Sequence, residues 1–257
     1  MSNIVDSGLI GRIMGNTISY FTNRSGLSLA YSILIKNPKL KKIWIICENW
    51  PSQLFIINQF LHENLSANTF KFDYTGCENS QGEHSFGGLT RDANDIDDAV
   101  NFLNSKGYEV EGIIGHSKAA QGVIIYSAIY GQVKNIIVLS ARFHMNVLPF
   151  FLHETTEIAR REKEIIHTGV GSRWKFTWDM VEETINTDMK FYCERAQGDF
   201  YIFHGNEDEM CPFADSLEYV KALNVKCKGY FTFNCDHLYI GVFDEIIEII
   251  EDIISKN

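Results

Sequence analysis

The chain has 257 residues, 45% of them hydrophobic and 13% aromatic, and 23 Lys and Arg against 33 Asp and Glu give it a formal net charge of −10. That is enough apolar material for the full core of one α/β domain spanning 1–257 with an insertion. The acidic balance and the scattered basic residues exclude a nucleic-acid backbone as main ligand, because phosphates require a clustered Lys/Arg footprint.

In chain order, Thr17–Thr22 and Leu27–Ile35 read as an antiparallel hairpin around Asn23–Gly26. The basic stretch Lys36–Lys42 that follows reads as a solvated loop. Short β-rich runs come next at Ile43–Cys47, Thr69–Asp73, Val110–His116, Asn135–Ser140, Asp199–His204 and Lys228–Asn234, of the kind that buried parallel strands give. Between and after them lie the amphipathic stretches Ser52–Glu63, Asp92–Ser105, Lys118–Tyr130, Asp215–Leu223 and Tyr239–Ser255. Repeated strand–helix alternation predicts a mostly parallel, doubly wound α/β sheet. Ala141–Glu194 breaks the pattern: no strand is evident, and Phe150, Phe151, His153, Trp174 and Trp178 sit among charged residues, so 141–194 is expected to be an inserted helical cap.

No run of about 18 uncharged apolar residues is present, so no membrane span is expected. The first fifteen residues lack the basic and apolar regions of a signal peptide, which makes the cytoplasm the expected location. Six cysteines without CxxC spacing read as reduced thiols rather than a disulfide framework or a zinc ribbon. The sequons at Asn23 and Asn64 match the glycosylation pattern but carry little weight in such a chain.

In sheets of this kind ligands collect at the carboxyl ends of the strands. After the strand Val110–Ile114 comes Gly115-His116-Ser117-Lys118-Ala119, then a helix. This is a G-x-S-x-A form of the nucleophile elbow, a sharp strand-to-helix turn that holds a serine in a strained position between small neighbours. A serine hydroxyl needs a base to take its proton and a carboxylate to orient that base. Two later strand ends supply them: His204-Gly205-Asn206-Glu207-Asp208-Glu209 and Cys235-Asp236-His237. Any carboxylate of the acidic triplet could serve. His204 reads as structural, His116 as a packing residue directed away from the nucleophile, and Asp236 as a loop former. No HExxH-like spacing favours a metal built from His204, Asp208 and His237, and neither Cys211 nor Cys47 lies on an elbow that would make it a nucleophile.

The segments FDYTGCENSQGE (72–83), IIGHSKAAQGVIIYSA (113–128), VLSARF (138–143), FHGNEDEMCP (203–212) and CDHLYI (235–240) resemble the α/β-hydrolase superfamily, in particular its esterase and serine-aminopeptidase-like group. The resemblance implies Ser117 as nucleophile, Asp208 as triad acid and His237 as base, in the chain order of that superfamily. It also implies an oxyanion hole made of the backbone N–H groups of Lys118 and of Trp50, the residue at the donor position after Ile43–Cys47. Here Glu48-Asn49 stands where the family usually has His-Gly. Asn tolerates the turn, whereas a carboxylate near the hole opposes the developing negative charge unless it points away or is paired.

The expected function is a carboxylesterase-like serine hydrolase that forms an acyl-enzyme on a small-molecule ester or acyl substrate and needs no cofactor or metal. The cap would choose the substrate, with Trp174 and Trp178 contributing aromatic surface and Arg142 within reach of an anionic group. The rival expectations are a catalytically silent binding protein on the same scaffold, and an acyltransferase or thioesterase using the same triad. Oligomeric state is not legible from the chain.

Overall fold

The computed structural model describes residues 18–48, 56–149, 152–169 and 172–256. At the first turn the Asn23 side-chain oxygen accepts from the amides of Ser25 and Leu27, both at 3.0 Å, and its amide donates to Asp95. This is the local bonding by which Asn nucleates a tight turn. It joins β1 (Ser19–Thr22) to β2 (Ser28–Leu34), antiparallel as expected. The side chain is buried in that role, which leaves no room for a glycan at the first sequon.

The strands β3 (Lys42–Glu48), β4 (Thr69–Asp73), β5 (Glu109–His116), β6 (Asn135–Leu139), β9 (Asp199–Gly205) and β10 (Cys227–Phe233) complete an eight-stranded sheet, in the order β1-β2-β4-β3-β5-β6-β9-β10. From β4 through β10 every pairing is parallel. Parallel neighbours require crossovers, and the helices supply them. These are α1 (Ile56–Asn64), α2 (Leu89–Ser105), α3 (Lys118–Ile129) and α7 (Phe213–Leu223), with α8 (Phe243–Ser255) closing the chain.

Burial on both faces explains why strands such as Ile43–Cys47 read as unbroken apolar runs. One core layer joins Phe70, Phe72, Ile113 and Ile136 to Ile96 and Val100 of α2 and Val123 and Ile124 of α3. The other joins Trp44, Ile46, Ile114 and Phe203 to Ile57 and Leu61 of α1 and to Ile246, Ile250 and Ile253 of α8. The i, i+4, i+7 spacing of those isoleucines places them on one helical stripe.

The segment between β6 and β9 departs from the helical expectation. It contains α4 (His153–Glu162), an antiparallel hairpin of β7 (Glu164–Gly169) and β8 (Ser172–Thr177), α5 (Trp178–Ile185) and α6 (Met189–Arg195). The hairpin has a physical cause in β8: Trp174 and Phe176 point inward while Lys175 between them is exposed. That is the period of two that makes a half-buried strand, too short to stand out among the charges around it. Trp174, Phe176, Leu152, Ala159 and Val181 form a small core of their own with Phe86 from the loop before α2.

A second difference lies at α8, which begins at Phe243 rather than Tyr239. Tyr239 and Gly241 have φ of 59° and 90°, left-handed values that a right-handed helix excludes. Among the described residues no helix is long and apolar enough to cross a membrane.

Candidate active site

At the end of β5 the chain turns into α3 through Ser117, whose φ of 57° and ψ of −125° are far from any ordinary region for a residue with a Cβ. Such a conformation costs on the order of 1–3 kcal/mol and persists because its surroundings fix it. Ser117 N donates to Leu139 O at 2.9 Å, and Ala120 N donates to Ser117 O at 3.0 Å. Gly115 allows the helix to sit this close, since a Cβ there would lie 2.7 Å from Val123 Cγ2 and 2.8 Å from Ala119 O. From Gly112 to Ala120, only Ser117 and Lys118 are not buried. The elbow therefore leaves Ser117 half-buried at the carboxyl edge of the sheet.

The loops after β9 and β10 meet it there. Asn206 N donates to Phe233 O and Glu207 N to Cys235 O, tying the two loops side by side. Gly205 has no Cβ at the point of closest approach, where one would lie 2.4 Å from Cys235 O. Asp208 turns one oxygen, Oδ1, to the amides of Met210 and Cys211 at 2.9 and 2.8 Å. Its other oxygen, Oδ2, lies 2.8 Å from His237 Nδ1, and His237 Nε2 lies 2.9 Å from Ser117 Oγ. The carboxylate, imidazole and hydroxyl thus form a continuous hydrogen-bonded chain. Of the three acids in the triplet, Asp208 is the one in this chain.

Burial alone would raise the Asp208 carboxyl pKa, but the hydrogen bond and charge of His237, with the Cys211 amide, hold it below the usual carboxylate range. Burial alone would lower the His237 imidazole. The Cys211 thiol and the Asp208 carboxylate beside it outweigh burial and raise it above its ordinary value. A proton on His237 is therefore well tolerated.

Around this chain lie side chains whose partners the sequence did not reveal. His204 donates through Nε2 to Cys211 O at 3.0 Å, and that nitrogen is 3.5 Å from Asp208 Oδ2, so it braces the acid loop. Ser140 Oγ donates to the Tyr239 hydroxyl at 2.9 Å, which donates to Phe203 O at 3.0 Å, stapling the loop after β10 to the ends of β6 and β9. Lys118 Nζ is 2.5 Å from Asp92 Oδ2, and both side chains are largely shielded from water. Asp92 lies on the same stripe of α2 as Ile96, Ala99 and Leu103. A carboxylate on an apolar stripe is the sequence signal that would have predicted a cationic partner.

Of the other expected site residues, Arg142, Trp174 and Trp178 have partners of their own. The Arg142 guanidinium donates to the main-chain oxygens of Val147 and Met210, so it is a strut between the start of the inserted segment and the acid loop. Trp174 is buried against His84, edge to face at 4.8 Å, and against Phe86 and Phe176. Trp178 is half-buried with the Arg160 guanidinium over its ring. Trp50 and Asn49 lie outside the described residues. Cys47 and Cys211 are free thiols, like the other four, and Cys47 is pushed up to about 12 by burial and is not a nucleophile at neutral pH. Among the described residues no group of three or more His, Cys, Asp or Glu is arranged to hold a metal ion.

No family model matches the chain, and no curated protein matches it in sequence. Solved structures do match in shape. Est1E from Butyrivibrio proteoclasticus with ferulic acid bound superposes with a TM-score of 0.71 at 18% identity, over 93% of this chain and 98% of that one. The Pyrococcus furiosus esterase Pf2001 gives 0.66 at 14% over 94% and 92%. DcsB in complex with its substrate analogue gives 0.74 at 11% over 95% and 100%. Similarity at these identities concerns the arrangement of the backbone, and by that arrangement the chain has the α/β-hydrolase fold.

Proposed function

We propose that the protein is a serine hydrolase that cleaves a small-molecule carboxylic ester through a covalent acyl-enzyme on Ser117. The observation that carries this reading is the unbroken chain from Asp208 through His237 to a half-buried serine held in a strained turn. His237 takes the proton as Ser117 Oγ attacks the ester carbonyl, then returns it to the leaving alcohol. Water repeats the cycle in reverse and frees the acid. Asp208 holds the imidazole in the tautomer whose Nε2 accepts that proton. The Lys118 amide, first in α3, is one oxyanion donor, and the Trp50 amide is assigned as the second.

The segment 141–194 is read as the cap over this site, selecting a small or medium acyl or aryl group. The presence of ferulic acid on one protein of the same fold supports that choice. Six free cysteines agree with a reducing, cytoplasmic setting. The geometry favours an enzyme over a silent scaffold, because a binding protein has no need of a strained serine aligned with a buried imidazole.

Intact-mass labelling with a fluorophosphonate tests the reading. One adduct is expected on the wild type and none on Ser117→Ala, and a folded wild type that takes no label overturns it. The pH profile is a second check. Since His237 must be neutral to act and its pKa is raised, kcat/KM should climb with pH along an acid limb centred above about 6.5. A limb at or below that value contradicts the assigned base.

A further inference from the structure

The base is carried on a loop after β10, three strands away from the nucleophile's strand β5 in the sheet order. At about 4.8 Å per strand the loop must reach back roughly 14 Å across β9 and β6 to bring His237 to Ser117. A side chain next to the nucleophile meets it. His116 Nε2 lies 2.9 Å from the main-chain oxygen of His237, across 121 residues of sequence. The two rings pack with centroids 4.8 Å apart and planes tilted by 38°, and Tyr239 meets the His116 ring edge to face at 5.8 Å.

We propose that His116 is a positioning residue for the base: its ring N–H, bound to the His237 carbonyl, holds the His237 imidazole in line with Ser117. This rests on the reading of Ser117, Asp208 and His237 as a catalytic triad. A carbonyl oxygen only accepts, so Nε2 must carry the hydrogen and the neutral ring is the Nε2–H tautomer. Burial, with the neighbouring His237, pushes the His116 pKa down to about 3, so the ring stays neutral wherever the enzyme would work. The titratable groups that face it are His237, Asp208, His204 and the Tyr239 hydroxyl. A neutral ring there suits a neighbour that becomes an imidazolium during the reaction, where a second cation would repel it. Ser117 and His116 are adjacent, so nucleophile and base are joined twice, once through Oγ and once through the backbone of the base.

The prediction separates ring from donor. His116→Phe keeps an aromatic face and loses the N–H; His116→Gln loses the ring and keeps an amide N–H of similar reach. Fluorophosphonate labelling rates measured across pH should fall about 10–100-fold in His116→Phe, the scale of a small misplacement of a reacting group. The acid limb should move to lower pH as His237 loosens from Asp208, and His116→Gln should recover most of both. His116→Phe with the wild-type rate and midpoint overturns the proposal, as does His116→Gln behaving like His116→Phe. If His116→Phe does not fold, His116→Asn takes its place, since its shorter amide falls short of the carbonyl.

Titration of the His237 ring by NMR in isotopically labelled protein needs no activity. If the wild type takes no label the triad reading fails, yet a His237 midpoint that drops in His116→Phe still supports the tie, and an unmoved midpoint overturns it.

Discussion

Asp208→Asn is expected to fold normally and to lose about 10⁴ in kcat, the scale of the same change in a Ser-His-Asp protease. The size follows from which way the amide must face. Oδ1 of Asp208 accepts from the amides of Met210 and Cys211. In the variant the side-chain oxygen must stay there, since turning the NH2 toward two donors would leave all of them unsatisfied. The NH2 group then faces His237 Nδ1 and donates to it, so the imidazole hydrogen moves to Nε2. That nitrogen is the one 2.9 Å from Ser117 Oγ, and carrying a hydrogen it cannot take another. Thermal unfolding should change little while ester hydrolysis and labelling nearly stop. A variant within tenfold of wild type would remove Asp208 from the catalytic chain.

The second large effect is on stability. Asp92 is almost wholly buried, and its bond to Lys118 is enclosed between α2 and the start of α3. Removing one partner of such a pair costs about 3–5 kcal/mol, because the remaining charge keeps its desolvation penalty without its compensation. Asp92→Ala should therefore lower the melting temperature on the order of 10 °C for a chain of this size. Replacing both partners, Asp92→Leu with Lys118→Met, should recover much of the loss, since an apolar pair of similar volume carries no buried charge. Calorimetry on Asp92→Leu, Lys118→Met and the double variant gives the coupling directly. Additive losses would mean the pair is not a unit. Because the Lys118 main-chain amide is assigned to the oxyanion hole, the double variant also separates the side chain's part from the backbone's. The amide survives the substitution, so activity should fall less than stability does in Asp92→Ala.

Legibility in the sequence followed the range of the interactions. The elbow could be read because strand, turn and helix are contiguous: an apolar run, then Gly115-His116-Ser117, then Lys118–Ile129, all within reach of local spacing. Asp208 and His237 could be placed because each closely follows a strand, and strand ends are where a sheet of this kind presents side chains. The hairpin of β7 and β8 was hidden because its alternation is brief and lies in a charged stretch, where a pattern of two is easily lost. The start of α8 was misplaced because Tyr239 and Ile240 continue its apolar periodicity, while the left-handed backbone of Tyr239 is needed by the base loop.

Composition, periodicity and the spacing of small residues around Ser117 were enough to determine a parallel α/β sheet and a strand-to-helix elbow, because those features are written within a few residues of each other, while the pairing of Asp208 and His237 with that serine was implied by the family resemblance. Tertiary structure alone decided how the three are held. His116 reaches His237, Arg142 reaches Met210, Ser140 reaches Tyr239 and Lys118 reaches Asp92 across 121, 68, 99 and 26 residues. Local periodicity records that a side chain is buried; which polar partner it finds there is set only when distant strands and loops are brought together, since burying each of these groups carries a cost that its partner must offset.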